Sequence, residues 1–256
     1  SEKALGSFPG SARNGPETVP MAATQTAPLE LYYWPTPNGW KVTILLEELG
    51  VPYNVNFVNI GAGDQFKPDF LAISPNNRMP AMVDPEGPDG KPISIFESAA
   101  ILMYLGRKFG KFYPADERKR VAVEEWLMWQ MGGFGPMLGQ NHHFSNYAPE
   151  KIPYAIKRYQ DETHRLYGVL NKRLEGRDFV ADEYSIADMA IVGWARSWKN
   201  QHIEIDEFPN VKRWFDAMME RPAVAKAVLV GKEEREKMQL ASDKNAQSVL
   251  FGQRAR

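Results

Sequence analysis

Three short stretches of the chain carry residue types that hold an anion or a zwitterion, and each stands beside a strand. The first is Pro35-Thr36-Pro37-Asn38-Gly39, between a strand-like run and a helical run. A helix N-terminus presents free amides and partial positive charge, so it stabilises a nearby anion, a thiolate included. Thr36 and Asn38 add side-chain hydrogen bonds at that point. Read alone, the stretch is an ordinary helix start with a Pro-rich lead-in. The second is Arg78-Met79-Pro80, ahead of a short strand. A cis Pro80 would expose the Met79 backbone for pairing with an extended peptide, although most X–Pro bonds are trans. The third is Phe96-Glu97-Ser98-Ala99, at another helix start. Ser98 and the first-turn amides suit a carboxylate, and Glu97 suits an ammonium group. Together they match the zwitterionic end of an amino acid, while a plain Ser cap is the simpler reading.

The elements that position these stretches follow from periodicity. Leu29, Leu31 and Tyr33 alternate as a strand, and Val42, Leu45, Leu46 and Leu49 fall at helical spacing up to Gly50. Tyr53, Val55 and Phe57 alternate again, giving a strand-helix-strand unit that favours a right-handed parallel crossover. Asp69 to Ile73 reads as a short helix or turn, Ala81 to Val83 and Ile93 to Phe96 as two strands around a Pro/Gly/Asp-rich turn. Ser98 opens a helix with Ile101, Leu102, Leu105 and Phe109 on one face. This order predicts a thioredoxin-like domain over 29–112.

Beyond Tyr113-Pro114 the strand signals stop. Val123, Trp126, Leu127 and Gln130 predict a long helix ended by Gly132-Gly133, and Ile152, Ile156, Tyr159, Thr163, Leu166 and Leu170 a second stripe. Ser185-Ile186-Ala187-Asp188 is a capping box, and Pro209 to Met219 a further helix stopped at Arg221-Pro222. The expected class is therefore α+β, with an all-α helical-bundle domain over 113–230. An irregular Gly/Pro-rich arm is expected over 1–28, in which Met21 is a candidate start-codon product, and a polar tail over 231–256 anchored by Leu250-Phe251.

Composition narrows the chemistry. The chain of 256 residues carries 31 basic and 32 acidic side chains, so it lacks the basic excess that nucleic-acid binding uses. It has no cysteine, which removes disulfides, thiolate metal sites and any sulfur nucleophile of its own. No apolar run approaches the roughly 18 residues of a spanning helix, and the arm has no secretory core, so the expected address is the cytoplasm without membrane contact.

The order and spacing of these blocks resemble the glutathione transferase superfamily from Leu29 to about Lys226. Thr36-Pro37-Asn38-Gly39, Gly63-Asp64-Gln65-Phe66, Ser74-Pro75-Asn76-Asn77-Arg78-Met79-Pro80 and Phe96-Glu97-Ser98 look like its Nu class. So do Met137-Leu138-Gly139-Gln140-Asn141-His142-His143-Phe144, Ser185 to Ala190 and Glu220-Arg221-Pro222-Ala223-Val224. The bacterial members nearest in pattern are glutathione-dependent disulfide-bond oxidoreductases. The resemblance implies that Thr36 and Asn38 face the glutathione sulfur, and that Gln65 and Arg78 hold its glycyl carboxylate. Met79 would pair with the cysteinyl unit ahead of a cis Pro80, and Glu97 and Ser98 would bind the γ-glutamyl ammonium and carboxylate. Arg158 matches a family arginine that contacts the ligand, from its own or the partner subunit. Homodimers holding two glutathiones, or one oxidised pair, in each site are implied as well. Glutathione is then the co-substrate, no metal is needed, and the partner molecule is a small disulfide or an aromatic electrophile.

Other features weigh less. Tyr32 and Tyr33 suit core packing better than thiol activation. Adjacent His142-His143 point about 100° apart on a helix and suit a single metal poorly; with Asn141 they are at most a lining for the electrophile pocket. Trp194 and Trp198 read as core. The leading reading is a glutathione-dependent disulfide reductase. Two alternatives are glutathione-dependent cleavage of aryl ethers or thioethers, and a non-catalytic glutathione-binding regulator like the yeast prion-type protein of the same class.

Overall fold

A computed structural model of the chain describes residues 24–237 and 243–253. Most of the expected arm, including the stretch Ser11 to Pro16 considered as a cover for the site, lies outside the described residues; 24–28 are irregular.

Strand β1 (Leu29–Tyr33) buries Leu29, Leu31 and Tyr33 on alternate positions, the period of two that a half-buried strand requires. Helix α1 (Pro37–Leu49) starts at the Thr36 cap, takes proline in its first turn and ends at Gly50 in the left-handed region, φ 67°. Strand β2 (Tyr53–Phe57) runs parallel to β1, with Leu29 opposite Tyr53. A 3-10 turn at Asp64–Phe66 and helix α2 (Pro68–Leu71) lead to β3 (Ala81–Asp84) and β4 (Ile93–Phe96), joined as an antiparallel hairpin. The sheet order is β2-β1-β3-β4, with β3 antiparallel to β1. Helix α3 (Ser98–Phe109) packs beside α1. This is the thioredoxin-like arrangement the element order predicts.

The helical half comprises α4 (Glu117–Trp129), α5 (Gly135–His142), α6 (Pro153–Arg173), α7 (Ile186–Ala195), α8 (Pro209–Glu220) and α9 (Pro222–Ala227). The expected stop at Gly132-Gly133 does not occur. The backbone stays helical through a wider π turn at Gln130–Phe134 and a second at His143–Tyr147. Two glycines cost roughly 1 kcal/mol each within a helix. Phe134, fully buried and stacked on Trp129 at 5.0 Å, offsets that cost through packing. The segment read as a polar tail contains two further helices, α10 (Lys232–Lys237) and α11 (Lys244–Phe251).

One continuous core joins the halves. Leu31 of β1, Val42 and Leu45 of α1, Leu102 of α3, Leu127 of α4 and Ile191 of α7 are all fully buried within it. Each such side chain contributes about 2 kcal/mol relative to exposure. Helix α1 therefore lies between the sheet and α7 and α9, and its N-terminus emerges at the seam between the two halves. Among the described residues, no helix is long and apolar enough to cross a membrane.

Candidate functional site

The first site element is the turn between β1 and α1. The Thr36 hydroxyl oxygen accepts from the Gly39 N–H at 3.2 Å and caps α1. Its proton is directed to Met79 Sδ at 3.6 Å, so one hydroxyl accepts from the helix and donates outward. The turn is as tight as it is because residue 39 is glycine. A Cβ there would sit 2.3 Å from the Trp34 carbonyl oxygen and 2.6 Å from the Tyr33 ring. Tyr33 itself is buried and its hydroxyl donates to the Val230 carbonyl at 3.2 Å, with burial raising its pKa, so it is core as expected.

Asn38 is oriented from the other half of the molecule. Trp194 Nε1 donates to Asn38 Oδ1 at 3.0 Å. An indole N–H only donates, so the amide oxygen must face it and the amide nitrogen must face away. Helix α7 reaches this close because Gly193 meets Pro37: a Cβ at 193 would lie 2.6 Å from the Pro37 carbonyl oxygen. Trp194 packs against the core, as read from sequence, and this bond also ties it to a residue of the cavity.

Asn38 lines a cavity of about 150 Å³ together with Arg78, Met79, Pro80, Glu97, Ser98 and Met131. The Met79–Pro80 bond is cis. Ser98 is buried, opens α3, and donates from Oγ to Met131 Sδ at 3.7 Å. It is not the cap: that position belongs to Glu97, which makes no side-chain cap bond and holds φ 70°, ψ 115°. A non-glycine residue in that region costs roughly 1–3 kcal/mol. The exposed Arg78 donates from Nη1 to Asn77 Oδ1 at 2.9 Å and to Gln253 Oε1 at 2.6 Å, which brings the segment after α11 to the rim.

Beneath this cavity is a group that sequence reasoning missed. Lys41, 1% exposed, donates from Nζ to Gln130 Oε1 at 2.7 Å and to Met131 Sδ at 3.2 Å. Burial lowers its pKa to about 7, against the raising field of Glu97. The available signal was one lysine between Trp40 and Val42, facing the apolar side of α1.

Other expected residues stand apart. Gln65 is buried in its own loop, donating to the Ile60 carbonyl at 3.0 Å, and does not line the cavity. Arg158 is exposed on α6, 3.9 Å from Glu162. Asn141 is fully buried and committed to Thr163 Oγ1 at 3.1 Å, the Gln201 carbonyl at 2.9 Å and Ser145 Oγ at 2.8 Å, which makes it packing rather than pocket lining. His142 and His143 do not line the cavity either. The His142 ring lies 5.7 Å from Trp194, and desolvation, then His202 and Arg235, lower its pKa to about 4. The His143 ring lies 4.7 Å from Phe251 of α11. A larger cavity of about 760 Å³, lined by residues including Gly110, Tyr113, Arg118 and Tyr184, lies at the opposite end of α3 and shares none of these groups.

Comparison with known proteins identifies the family. Residues 27–107 match the family model "Glutathione S-transferase, N-terminal domain", and 140–222 match "Glutathione S-transferase, C-terminal domain". The disulfide-bond oxidoreductase YfcG of Escherichia coli is 52% identical over 203 residues, covering 78% of this chain and 94% of its own. A glutathione transferase from Burkholderia graminis, solved with two glutathione molecules per subunit, superposes with a TM-score of 0.76 at 44% identity, covering 80% of this chain and 89% of its own. One from Pseudomonas putida, solved with one glutathione disulfide per subunit, gives 0.76 at 43% identity, covering 78% and 90%. Two family models spanning both halves, and a relative 52% identical over nearly its whole length, show that the chain belongs to the glutathione S-transferase family.

Proposed function

We propose that the chain is a glutathione-dependent disulfide-bond oxidoreductase whose sulfur chemistry is carried entirely by glutathione. The observation that carries this reading is the pair of side-chain donors, Thr36 Oγ and the Asn38 amide nitrogen, at the N-terminus of α1 in a chain without cysteine. Glu97 and Ser98 hold the γ-glutamyl ammonium and carboxylate at the head of α3, and Met79 pairs with the cysteinyl unit. Arg78 takes the glycyl carboxylate, with Gln65 behind it as a loop-ordering residue.

In this reading the cysteinyl sulfur lies against Thr36, whose hydroxyl proton turns from Met79 Sδ to the sulfur. Together with the Asn38 amide and the α1 amides it favours the thiolate over the thiol. Lowering a thiol pKa from about 8.5 toward neutrality raises the thiolate fraction at pH 7 several-fold. The thiolate attacks one sulfur of a disulfide R–S–S–R. The S–S bond breaks, a glutathione–S–S–R bond forms, and RS⁻ leaves and takes a proton from solvent. A second glutathione thiolate attacks the glutathionyl sulfur and releases the second RS⁻. Two glutathiones are oxidised to one glutathione disulfide as the substrate gains two electrons. The protein supplies positioning and preorganised donors.

The working form we infer is a cytoplasmic homodimer. In this reading Arg158, whose guanidinium is exposed on α6, contacts the bound ligand from its own or the partner subunit. One or two glutathiones occupy each site. The test is glutathione-dependent reduction of bis(2-hydroxyethyl) disulfide, coupled to glutathione reductase and NADPH, beside conjugation of a halo-nitrobenzene. Strong disulfide turnover with feeble conjugation is expected. Absent disulfide turnover with cleavage of a β-aryl ether would overturn the assignment.

A further inference from the structure

Behind the Ser98 and Met131 wall of the cavity, donors outnumber acceptors. Lys41 brings three ammonium protons, the Gln130 amide two and Ser98 one, whereas the acceptors between them are Gln130 Oε1, the Ser98 hydroxyl oxygen and the sulfur of Met131. The Gln130 amide nitrogen is buried with no partner among the described residues. No carboxylate forms an ion pair with Lys41 among them either, so a buried ammonium is left without a counter-ion. A buried cation of this kind is costly unless something compensates it. Met131 Sδ is the link: it accepts from Lys41 on one side and from Ser98 on the other, and Ser98 and Met131 both line the cavity. One sulfur atom thus separates the ammonium from the place where a ligand carboxylate meets α3.

We propose that Lys41 is a positioning residue that supplies the buried counter-charge for the γ-glutamyl carboxylate, so that protonation of Lys41 and ligand binding favour one another. This rests on the reading that the cavity takes glutathione. The charged groups around Lys41 are few. Glu97, at the head of α3, is the one whose field reaches it. The π turn Gln130–Phe134 carries none. On α7, Asp188 is held by Ser185, Val180 and Trp214; on α9, Lys226 pairs with Glu47 at the far end of α1; on α3, Lys108 pairs with Asp84 at its far end. The free protein therefore holds Lys41 part-protonated near neutral pH, and a bound carboxylate draws the proton back.

S-methylglutathione isolates this effect, because it has no thiol to titrate. Calorimetric binding in buffers of different ionisation enthalpy should show net proton uptake between pH 7 and 8. Its affinity should fall about fivefold from pH 6.5 to 8.5. Lys41→Met should weaken binding at pH 6.5, remove the uptake and flatten the pH profile. In the wild-type protein, the analogue with 4-aminobutanoyl in place of γ-glutamyl keeps the amine, lacks the α-carboxylate and should bind without uptake. The two wild-type arms stand even if the variant does not fold. Wild-type binding without proton uptake, or uptake that survives either Lys41→Met or removal of the carboxylate, would overturn the proposal. No binding of S-methylglutathione at any pH would instead overturn the glutathione reading itself.

Discussion

Trp194 and Asn38, 156 positions apart in sequence, are joined by one hydrogen bond of 3.0 Å across the seam between the sheet and the helical bundle. The bond fixes the orientation of the Asn38 amide, and in the proposed mechanism it thereby turns the amide nitrogen toward the glutathione sulfur. Removing the indole donor frees that amide to turn its oxygen toward the thiolate, where it repels. Trp194→Phe should therefore lower kcat/KM for disulfide reduction about tenfold, close to the 1–1.5 kcal/mol of an ordinary hydrogen bond. The dissociation constant for S-methylglutathione, which has no thiolate, should change by less than about twofold. Equal losses in both quantities would show that Trp194 supports the whole cavity instead.

Asp188 holds the entry to α7 together. Its carboxylate accepts from the Val180 N–H at 3.0 Å, Trp214 Nε1 at 3.0 Å and the Ser185 N–H at 3.2 Å, all buried. The Ser185 hydroxyl donates to it as well, at 3.3 Å, so Asp188→Ala strands four donors and should cost about 3 kcal/mol in urea unfolding. Desolvation outweighs those bonds and raises the Asp188 pKa to about 6. Its folded value is thus above its unfolded one, so the native state binds more protons between about pH 4 and pH 6. That contribution to stability falls as pH rises through this window. The difference in unfolding free energy between wild type and Asp188→Asn, followed from pH 4 to 7, should show that sign.

Lys41 has the opposite sign in the free protein. Its folded pKa, lowered to about 7, lies below the unfolded value, so the unfolded chain binds more protons between pH 7 and about 10. The free energy of unfolding of the wild type, relative to Lys41→Met, should rise with pH over that range. A flat difference would mean that the amine reaches water.

His142 is neutral at working pH. With its pKa lowered to about 4 by burial and by His202 and Arg235, its ring C–H resonance should titrate below pH 5. The pH dependence of kcat/KM should then show the glutathione thiol limb with no histidine inflection near pH 6.5. Such an inflection, lost in His142→Gln, would make His142 a proton carrier.

Much of this arrangement was legible in the residues. Leu29, Leu31 and Tyr33 declared a half-buried strand, Thr36-Pro37 a helix start and Gly50 its end, because those signals are local and steric. Glu97 and Ser98 were legible as a pair, although not that Glu97 would take the strained cap position. Contacts made by tertiary packing were not legible. Trp194 looks like any core tryptophan until Gly193 lets α7 meet Pro37. Lys41 looks like a solvated lysine until α1 is enclosed on both sides. The double glycine at 132–133 signalled a stop, but the burial of Phe134 overrode it, and the resulting π turn set Gln130 and Met131 under the cavity. Gln65 and Asn141 carried the right side-chain chemistry, yet the Ile60 carbonyl of its own loop took the Gln65 amide, and the distant Gln201 carbonyl and Thr163 hydroxyl took that of Asn141.

In the proposed mechanism this cysteine-free protein lowers the thiol pKa of bound glutathione through Thr36 and Asn38. Ultraviolet titration of the thiolate in the complex measures it directly. The wild-type complex should titrate well below the free thiol's value of about 8.5, and Thr36→Ala combined with Asn38→Ala should restore that value while glutathione still binds. A bound thiol that titrates as it does in free solution in the wild-type protein would contradict the account.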